Sequence, residues 1–300
     1  MAVVIDVSII IVNYNTSDLV IQCIESVIKH TKKINYEIIV VDNNSPKRDI
    51  ENLNSIYPDV TLILNDKNSG FGIANNIGNK IAKGENIFLL NSDTIVLDNS
   101  IYNLYKFMDE NKQVGACGGN LCDINLQPAT SFTRFMPSIL SDIDYFFLNF
   151  ISKLIYRKSV YYCYDELPIK INGNISGADL MISKKIFDEL GGFDENFFMY
   201  YEETDLLFRM REKKYETFIV PQSKIIHLEG ASESVKKTKL DWTYDSKKKY
   251  YSKNKSKIEL KVSDIIFYLT ILQRLLVFKI LLKKEKFNYW LSFYDWFKSK

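Results

Sequence analysis

The sequence predicts an α/β fold, with a mostly parallel central sheet flanked by helices and a helical extension at the C-terminus. Three observations predict it. Short β-branched runs alternate with amphipathic helical segments over the first hundred residues, which implies right-handed crossovers and parallel strand pairing. Each of these runs ends in a cluster rich in Asn, Asp or Ser. Beyond residue 230 the chain becomes Lys-rich and then long and apolar. Three hundred residues suffice to bury a real core.

Val7–Val12 is too uniformly apolar for a half-exposed strand and suits a central parallel one. The longer run Val3–Val12 does not read as a signal sequence, since it carries Asp6, lacks a basic lead-in and runs into Asn13. A helix capped by Ser17 or Asp18 follows, with Leu19, Cys23 and Val27 beside Val20, Ile24 and Ile28 as its buried stripe. Ile38–Val41 and Val60–Leu64 are the next strands, and Asn68–Gly78 leads into a second helix. Ile87–Leu90 is the fourth strand. Later, Val114–Leu121, Ile175–Ile182 and Glu216–Val220 read as strands. Lys184–Leu190 reads as a helix stopped by Gly191-Gly192, and Glu203–Lys214 as another. Ile139–Tyr156 is apolar and aromatic, either a buried helix or a surface for an apolar partner.

In open parallel sheets, ligands bind beyond the carboxyl ends of the strands. Those ends here are Asn13-Tyr14-Asn15, Asp42-Asn43-Asn44-Ser45, Asn65–Gly72 and Asn91-Ser92-Asp93. Strand ends need turn residues in any case, but four clusters so rich in Asn and Asp predict one polar, ligand-binding rim.

Net charge is only +2, which predicts no nucleic-acid partner. Its distribution is uneven: residues 231–300 carry 17 Lys/Arg against 7 Asp/Glu, so the preceding part is net acidic. Cys23, Cys117, Cys122 and Cys163 lack zinc-like spacing and read mainly as packing thiols of a reducing compartment, the cytoplasm. Within Ile265–Leu282, Gln273, Arg274 and Lys279 argue against a membrane span. With Lys283, Lys284 and Lys286 and the aromatics from Trp290 to Phe297 following, the segment reads as an interfacial helix on the inner leaflet. The alternative is a helix packed on the domain or on a second subunit, as in a homodimer.

Several residue types suit chemistry on that rim. Asp93, fixed after Ile-Phe-Leu-Leu, can hold Mg²⁺ or Mn²⁺, which in turn grips a diphosphate. His227 is one of two histidines and follows a predicted strand, where a satisfied core residue is the plain alternative to a ligand. Tyr200-Tyr201-Glu202-Glu203-Thr204-Asp205 places three carboxylates at a helix start. They could serve the helix dipole, or one could be a general base tuned by aromatic neighbours. Asn68–Gly78 is not a dinucleotide fingerprint, because its third glycine position is Asn75 and it follows the third strand, though close backbone approach to phosphate or ribose fits Gly70.

In order along the chain, Ser8-Ile9-Ile10-Ile11-Val12-Asn13-Tyr14-Asn15, Val40-Val41-Asp42-Asn43-Asn44-Ser45, Asn68–Gly78, Leu89-Leu90-Asn91-Ser92-Asp93, Ser176-Gly177-Ala178, Gly191–Glu195, Tyr201–Arg209 and His227 resemble the family 2 glycosyltransferases. The resemblance covers about residues 5 to 230 and is strongest for the rhamnosyltransferase-like and galactofuranosyltransferase-like branch. It implies a GT-A fold, Rossmann-like, over residues 1–230. About 1–120 would be the nucleotide-binding half and 121–230 the acceptor half, with 231–300 the basic amphipathic helical region. It implies Mn²⁺ or Mg²⁺ on Asp93 and His227. Val12, Asn13 and Asp42 fall where the family holds base and ribose, with Asn15, Asn43, Asn68, Gly70 and Asn75 on the same rim. Asn91 lies beside the sugar diphosphate, with Ser92 next to it among the donor-binding residues. Glu203 falls on the catalytic base, with Glu202 as the alternative register.

Two positions depart from the family pattern. Glu203 stands where Asp is usual, and Asn174 where Trp is frequent, so sugar stacking falls to Tyr200 or Tyr201. The function implied is inverting, metal-dependent transfer of a sugar, rhamnose favoured, from a dTDP- or UDP-linked donor to a cell-surface polysaccharide or polyprenyl-linked acceptor. A sugar nucleotidyltransferase is the enzymatic alternative, but Asn13-Tyr14-Asn15-Thr16 lacks the Gly, Lys or Arg of its phosphate loop. An inactive membrane-associated scaffold of the same fold is the other, and the acids at 42, 93 and 203 argue against it.

Overall fold

Strand β1 (Val7–Asn13) is buried along nearly its whole length because helices cover both its faces. In the computed structural model, which describes residues 4–228 and 236–299, alternate residues of β1 enter two cores. Ile9 and Ile11 pack with Val20, Cys23, Ile24 and Val27 of α1 (Ser17–His30), while Ile10 faces Ala74 of α3 (Phe71–Ile81). Between these helices lie β2 (Tyr36–Asp42), the short α2 (Leu53–Ile56) and β3 (Val60–Leu64), and β4 (Asn86–Asn91) follows. The four strands pair in parallel in the order β3-β2-β1-β4. Their register levels the ends: Asn13 lies opposite Asp42, and Val12 opposite Asn91. All these polar termini therefore face one rim.

Next come β5 (Thr94–Val96), α4 (Ser100–Glu110), β6 (Val114–Cys122), α5 (Ile139–Phe146), α6 (Phe150–Tyr156), β7 (Ile169–Lys170), β8 (Asp179–Ser183), α7 (Lys184–Glu189), α8 (Glu202–Glu212) and β9 (Glu216–His227). Among the described residues one sheet runs β3-β2-β1-β4-β8-β6-β9-β5, with β7 on β9. The second half is mixed, since β8 lies antiparallel between β4 and β6. Strand β9 outruns the expected Glu216–Val220, and its last residue, His227, pairs with Thr94 of β5. That hairpin-like return carries His227 to the end of β4.

Two expectations are corrected. The strand expected from Ile175 starts only at Asp179, Ile175 making a lone bridge to Phe132. Ile139–Tyr156 is two short helices, broken where Leu148 and Asn149 turn left-handed at φ +60 and +59. The Asp144 carboxylate seals that break by accepting from the Ile151 and Ser152 amides. Strand β5, at three residues, is too short to stand out in the sequence, and helix α4 too polar.

The extension forms α9 (Lys236–Asn254), α10 (Lys257–Ile280) and α11 (Lys284–Lys298), while part of the Lys-rich connector beyond Gly230 lies outside the described residues. It packs on the α/β body. Tyr250 and Tyr251 of α9 are buried against Phe197, and Ser246 Oγ donates to Met199 O at 2.8 Å. Lys253 and Asn254 both reach the buried Asp205 of α8 at 3.0 Å. Ser263 and Arg274 of α10 bond Asp142 and the Tyr145 carbonyl of α5. No described helix is long and apolar enough to cross a membrane.

Candidate active site

The rim is built by side chains that satisfy one another. Asn13 Nδ2 donates to Asp42 Oδ1 at 2.7 Å, and its Oδ1 accepts from the amide and hydroxyl of Thr16. Thr16 Oγ1 lies 3.0 Å from Ser92 Oγ, linking the ends of β1 and β4. Asn43 is the second hub. Its Nδ2 donates to Asn68 Oδ1 and the Gly70 carbonyl, while its Oδ1 accepts from Asn65 Nδ2 and the Ser69 amide. Buried amides of this kind fix backbone that regular structure cannot hold.

Gly70 ends that loop at φ +87 and ψ 172, a region open essentially to glycine alone. The next amide, Phe71 N, donates to Phe198 O at 3.0 Å, so a Cβ at position 70 would sit 2.1 Å from that oxygen. Gly70→Ala is expected to destabilise the fold by about 2–4 kcal/mol. Urea denaturation checks this; an unchanged midpoint would contradict the close approach.

A cavity of about 380 Å³ opens at this rim. Val12, Asn43, Asn68, Gly70, Asn91, Ser92, Asp93 and His227, all expected from sequence, line it. Asn13 and Asp42 stand behind it as its scaffold. Asn15 is exposed, its amide donating to Ser45 Oγ, and Asn75 turns into α3, donating to Phe71 O at 3.0 Å. Neither lines the cavity. Tyr14 of the Asn13-Tyr14-Asn15 cluster lines it too, and Thr16, Met199 and Lys239 join it beyond the expected set.

At its floor His227 Nε2 lies 3.3 Å from Asp93 Oδ1 and 3.5 Å from Asn91 Nδ2, and His227 Nδ1 is buried with no partner among the described residues. Among the described residues no cluster of three or more His, Cys, Asp or Glu side chains gathers around a metal position. The Asp93–His227 pair nevertheless fits a hard divalent cation, because Mg²⁺ and Mn²⁺ take few protein ligands and fill the rest with water and substrate phosphate.

A second cavity, of about 370 Å³, adjoins the first and shares Phe71, Asn91, Met199, Tyr200 and His227 with it. Glu202, Glu203 and Asn174 line its far part. Asp93, His227 and Glu203 thus surround one continuous depression. Tyr200 and Tyr201 both adopt φ +67 just before α8, a strained turn that aims the two glutamates. Tyr200 faces both cavities, whereas Tyr201 packs against Tyr250.

The three carboxylates at this helix start differ. Asp205 is buried in an ion pair with Arg209 at 2.8 Å and serves the fold. Glu202 is 3% exposed, its Oε2 has no partner among the described residues, and burial, aided by the charge of Glu203, holds its carboxyl well above the usual range. Burial also raises Glu203, but less freely, since Asn174 Nδ2 donates to Oε1 at 2.9 Å and Thr204 Oγ1 at 3.2 Å, both favouring the charged form. All four cysteines are free and buried, and burial pushes the Cys23 thiol up to about 12. They are inert packing groups.

The family model for Glycosyl transferase family 2 matches residues 8–174, more than half of the chain. The chain belongs to glycosyltransferase family 2. Among curated relatives of this glycosyltransferase, poly(ribitol-phosphate) beta-glucosyltransferase of Bacillus spizizenii is 37% identical over 140 residues, 44% of this chain. The chain spans only 22% of that protein's length. The dTDP-rhamnosyl transferase RfbF of Shigella flexneri is 26% identical over 230 residues, spanning 76% of this chain and 70% of RfbF. Among solved structures, GalNAc-T7 with UDP, GalNAc and Mn²⁺ superposes with a TM-score of 0.63 over 83% of this chain and 48% of its own. At 18% identity that likeness establishes the GT-A fold alone.

Proposed function

We propose that this family 2 glycosyltransferase is an inverting, metal-dependent enzyme that moves a sugar, rhamnose favoured, from a nucleotide diphosphate to a cell-surface polysaccharide or lipid-linked acceptor. One observation carries the reading: the depression that holds Asp93 and His227 also holds the Glu203 carboxylate. Asn43, Asn68 and the Gly70 backbone, braced by Asn13 and Asp42, hold base and ribose. Asp93 Oδ1 and His227 Nε2 would hold Mn²⁺ or Mg²⁺, which offsets the charge of the diphosphate when bound. Glu203 takes the proton of the acceptor hydroxyl as its oxygen bonds to the anomeric carbon. The bond from that carbon to the diphosphate oxygen breaks, its electron pair leaving on the diphosphate, and the configuration inverts.

Rhamnose is favoured because RfbF pairs with most of this chain and most of its own. A panel of dTDP-rhamnose, UDP-glucose, UDP-galactofuranose and UDP-N-acetylglucosamine tests this. Hydrolysis fastest with dTDP-rhamnose and abolished by chelator is the expected result. No turnover of any nucleotide sugar with either metal would remove the enzymatic reading.

We also propose that the enzyme works at the cytoplasmic face of a membrane, held by α10. Ile265, Leu269, Leu272, Leu276 and Ile280 form an exposed stripe on that helix, and Lys283, Lys284 and Lys286 follow it. Apolar residues beside lysines suit an anionic interface. Leu272→Glu with Leu276→Glu is expected to weaken sedimentation with phosphatidylglycerol vesicles about 10- to 100-fold. Unchanged sedimentation, or a dimer that the double substitution dissociates, would assign the stripe to protein contact.

A further inference from the structure

Helix α9 does more than pack. Its Trp242 ring lies 5.1 Å from Phe198, and Ser246 Oγ bonds Met199 O, so the helix is pinned to the segment that walls both cavities. From the same helix Lys239 reaches the first cavity, its Nζ 5.8 Å from the Tyr200 ring centroid. Among the described lining residues it is the single Lys or Arg, and it shares the cavity with Asn91, Ser92, Asp93 and His227.

Charge balance gives that position a task. A divalent cation on Asp93 has part of its charge already offset by the carboxylate. The diphosphate gains a negative charge as the glycosidic bond breaks, and a second positive charge beside it would offset part of that gain in the transition state. An ammonium is a compact charge that meets phosphate oxygens without a fixed geometry. We infer that Lys239 is a donor-binding residue, its ammonium contacting the diphosphate of the nucleotide sugar, so that the C-terminal helical region completes the donor site. The inference rests on the glycosyltransferase reading above and deepens it.

Titration calorimetry of the full chain with Mn²⁺ separates the phosphate contribution from the rest. UDP and dTDP are the charged probes, uridine and thymidine the uncharged ones. Lys239→Met is expected to weaken diphosphate binding about 10- to 100-fold and to leave nucleoside binding within twofold. Lys239→Arg should recover most of the loss. Lys248→Met, on the same helix and paired with Asp245 at 3.1 Å, is the control for overall charge and should bind like the parent. In turnover, Lys239→Met should lower kcat as well as raise donor KM, because the leaving diphosphate carries more charge than the bound donor. Diphosphate affinity equal to the parent's, or an equal loss for nucleosides, would overturn the role of Lys239 while leaving the glycosyltransferase reading intact. If the parent itself binds no nucleotide diphosphate, both fall.

Discussion

Glu203→Gln is expected to lower kcat for transfer by about 10³-fold or more while nucleotide diphosphate affinity stays within twofold. The substitution keeps size and hydrogen bonding to Asn174 and removes only the ability to take a proton. Glu203 must be ionised to act, and burial sets its carboxyl above the usual range. The acidic limb of the rate profile is therefore displaced upward, and activity falls as pH drops through that raised value. Linkage gives the opposite sign for stability. With Glu202 and Glu203 both raised, the folded state binds more protons than the unfolded chain, so stability declines as pH rises through the window between unfolded and folded values. Glu203→Gln removes that cost, so its midpoint in urea at neutral pH should equal or exceed the parent's, which excludes misfolding as the source of inactivity. Stopped kinetics with an unshifted melt is the signature to measure. Transfer at the parental rate would leave the base unassigned.

The two positions at which the chain departs from the family pattern turn out to touch. Asn174 donates to Glu203, and its Oδ1 is buried beside the second cavity with no partner among the described residues. A longer acid thus arrives with a short amide that holds it. Sequence could show both substitutions but not their contact, because 29 residues separate them and only the return of the chain around β8 brings them together. The parallel half was legible because each strand is an unbroken aliphatic run and each terminus a polar cluster. There, register alone put Asn13, Asp42 and Asn91 on one rim. Asn75 read as part of that rim from its place in a Gly-rich loop, yet a helix begun at Phe71 turns it inward. Lys239 carries no signal in the sequence, being one of many lysines in a basic tail, and the packing of Trp242, Ser246, Tyr250 and Tyr251 against the α/β body fixes which of them meets the first cavity. His227 lay between these extremes, a lone imidazole whose partner depends on the long β9 pairing with β5.

Asp93→Ala should cost about 10²- to 10³-fold in kcat/KM and raise the Mn²⁺ concentration for half-maximal activity by a similar factor. The residue is 4% exposed and lines the cavity, while a hydrogen bond that Asp93 makes to the fold runs from Leu228 N to its backbone oxygen. Truncation therefore removes the carboxylate and leaves that backbone bond. His227→Ala should act on the same quantity, since its Nε2 and Asp93 Oδ1 lie 3.3 Å apart and would share one cation. The two losses are then not additive: once either ligand is gone, deleting the other costs little more, because the cation is no longer held for the second to act upon. A double-mutant cycle on donor hydrolysis at varied Mn²⁺ reads this directly. Additive losses would mean that His227 acts on the fold or the acceptor apart from the metal, and parental Mn²⁺ dependence in Asp93→Ala would place the cation elsewhere in the depression.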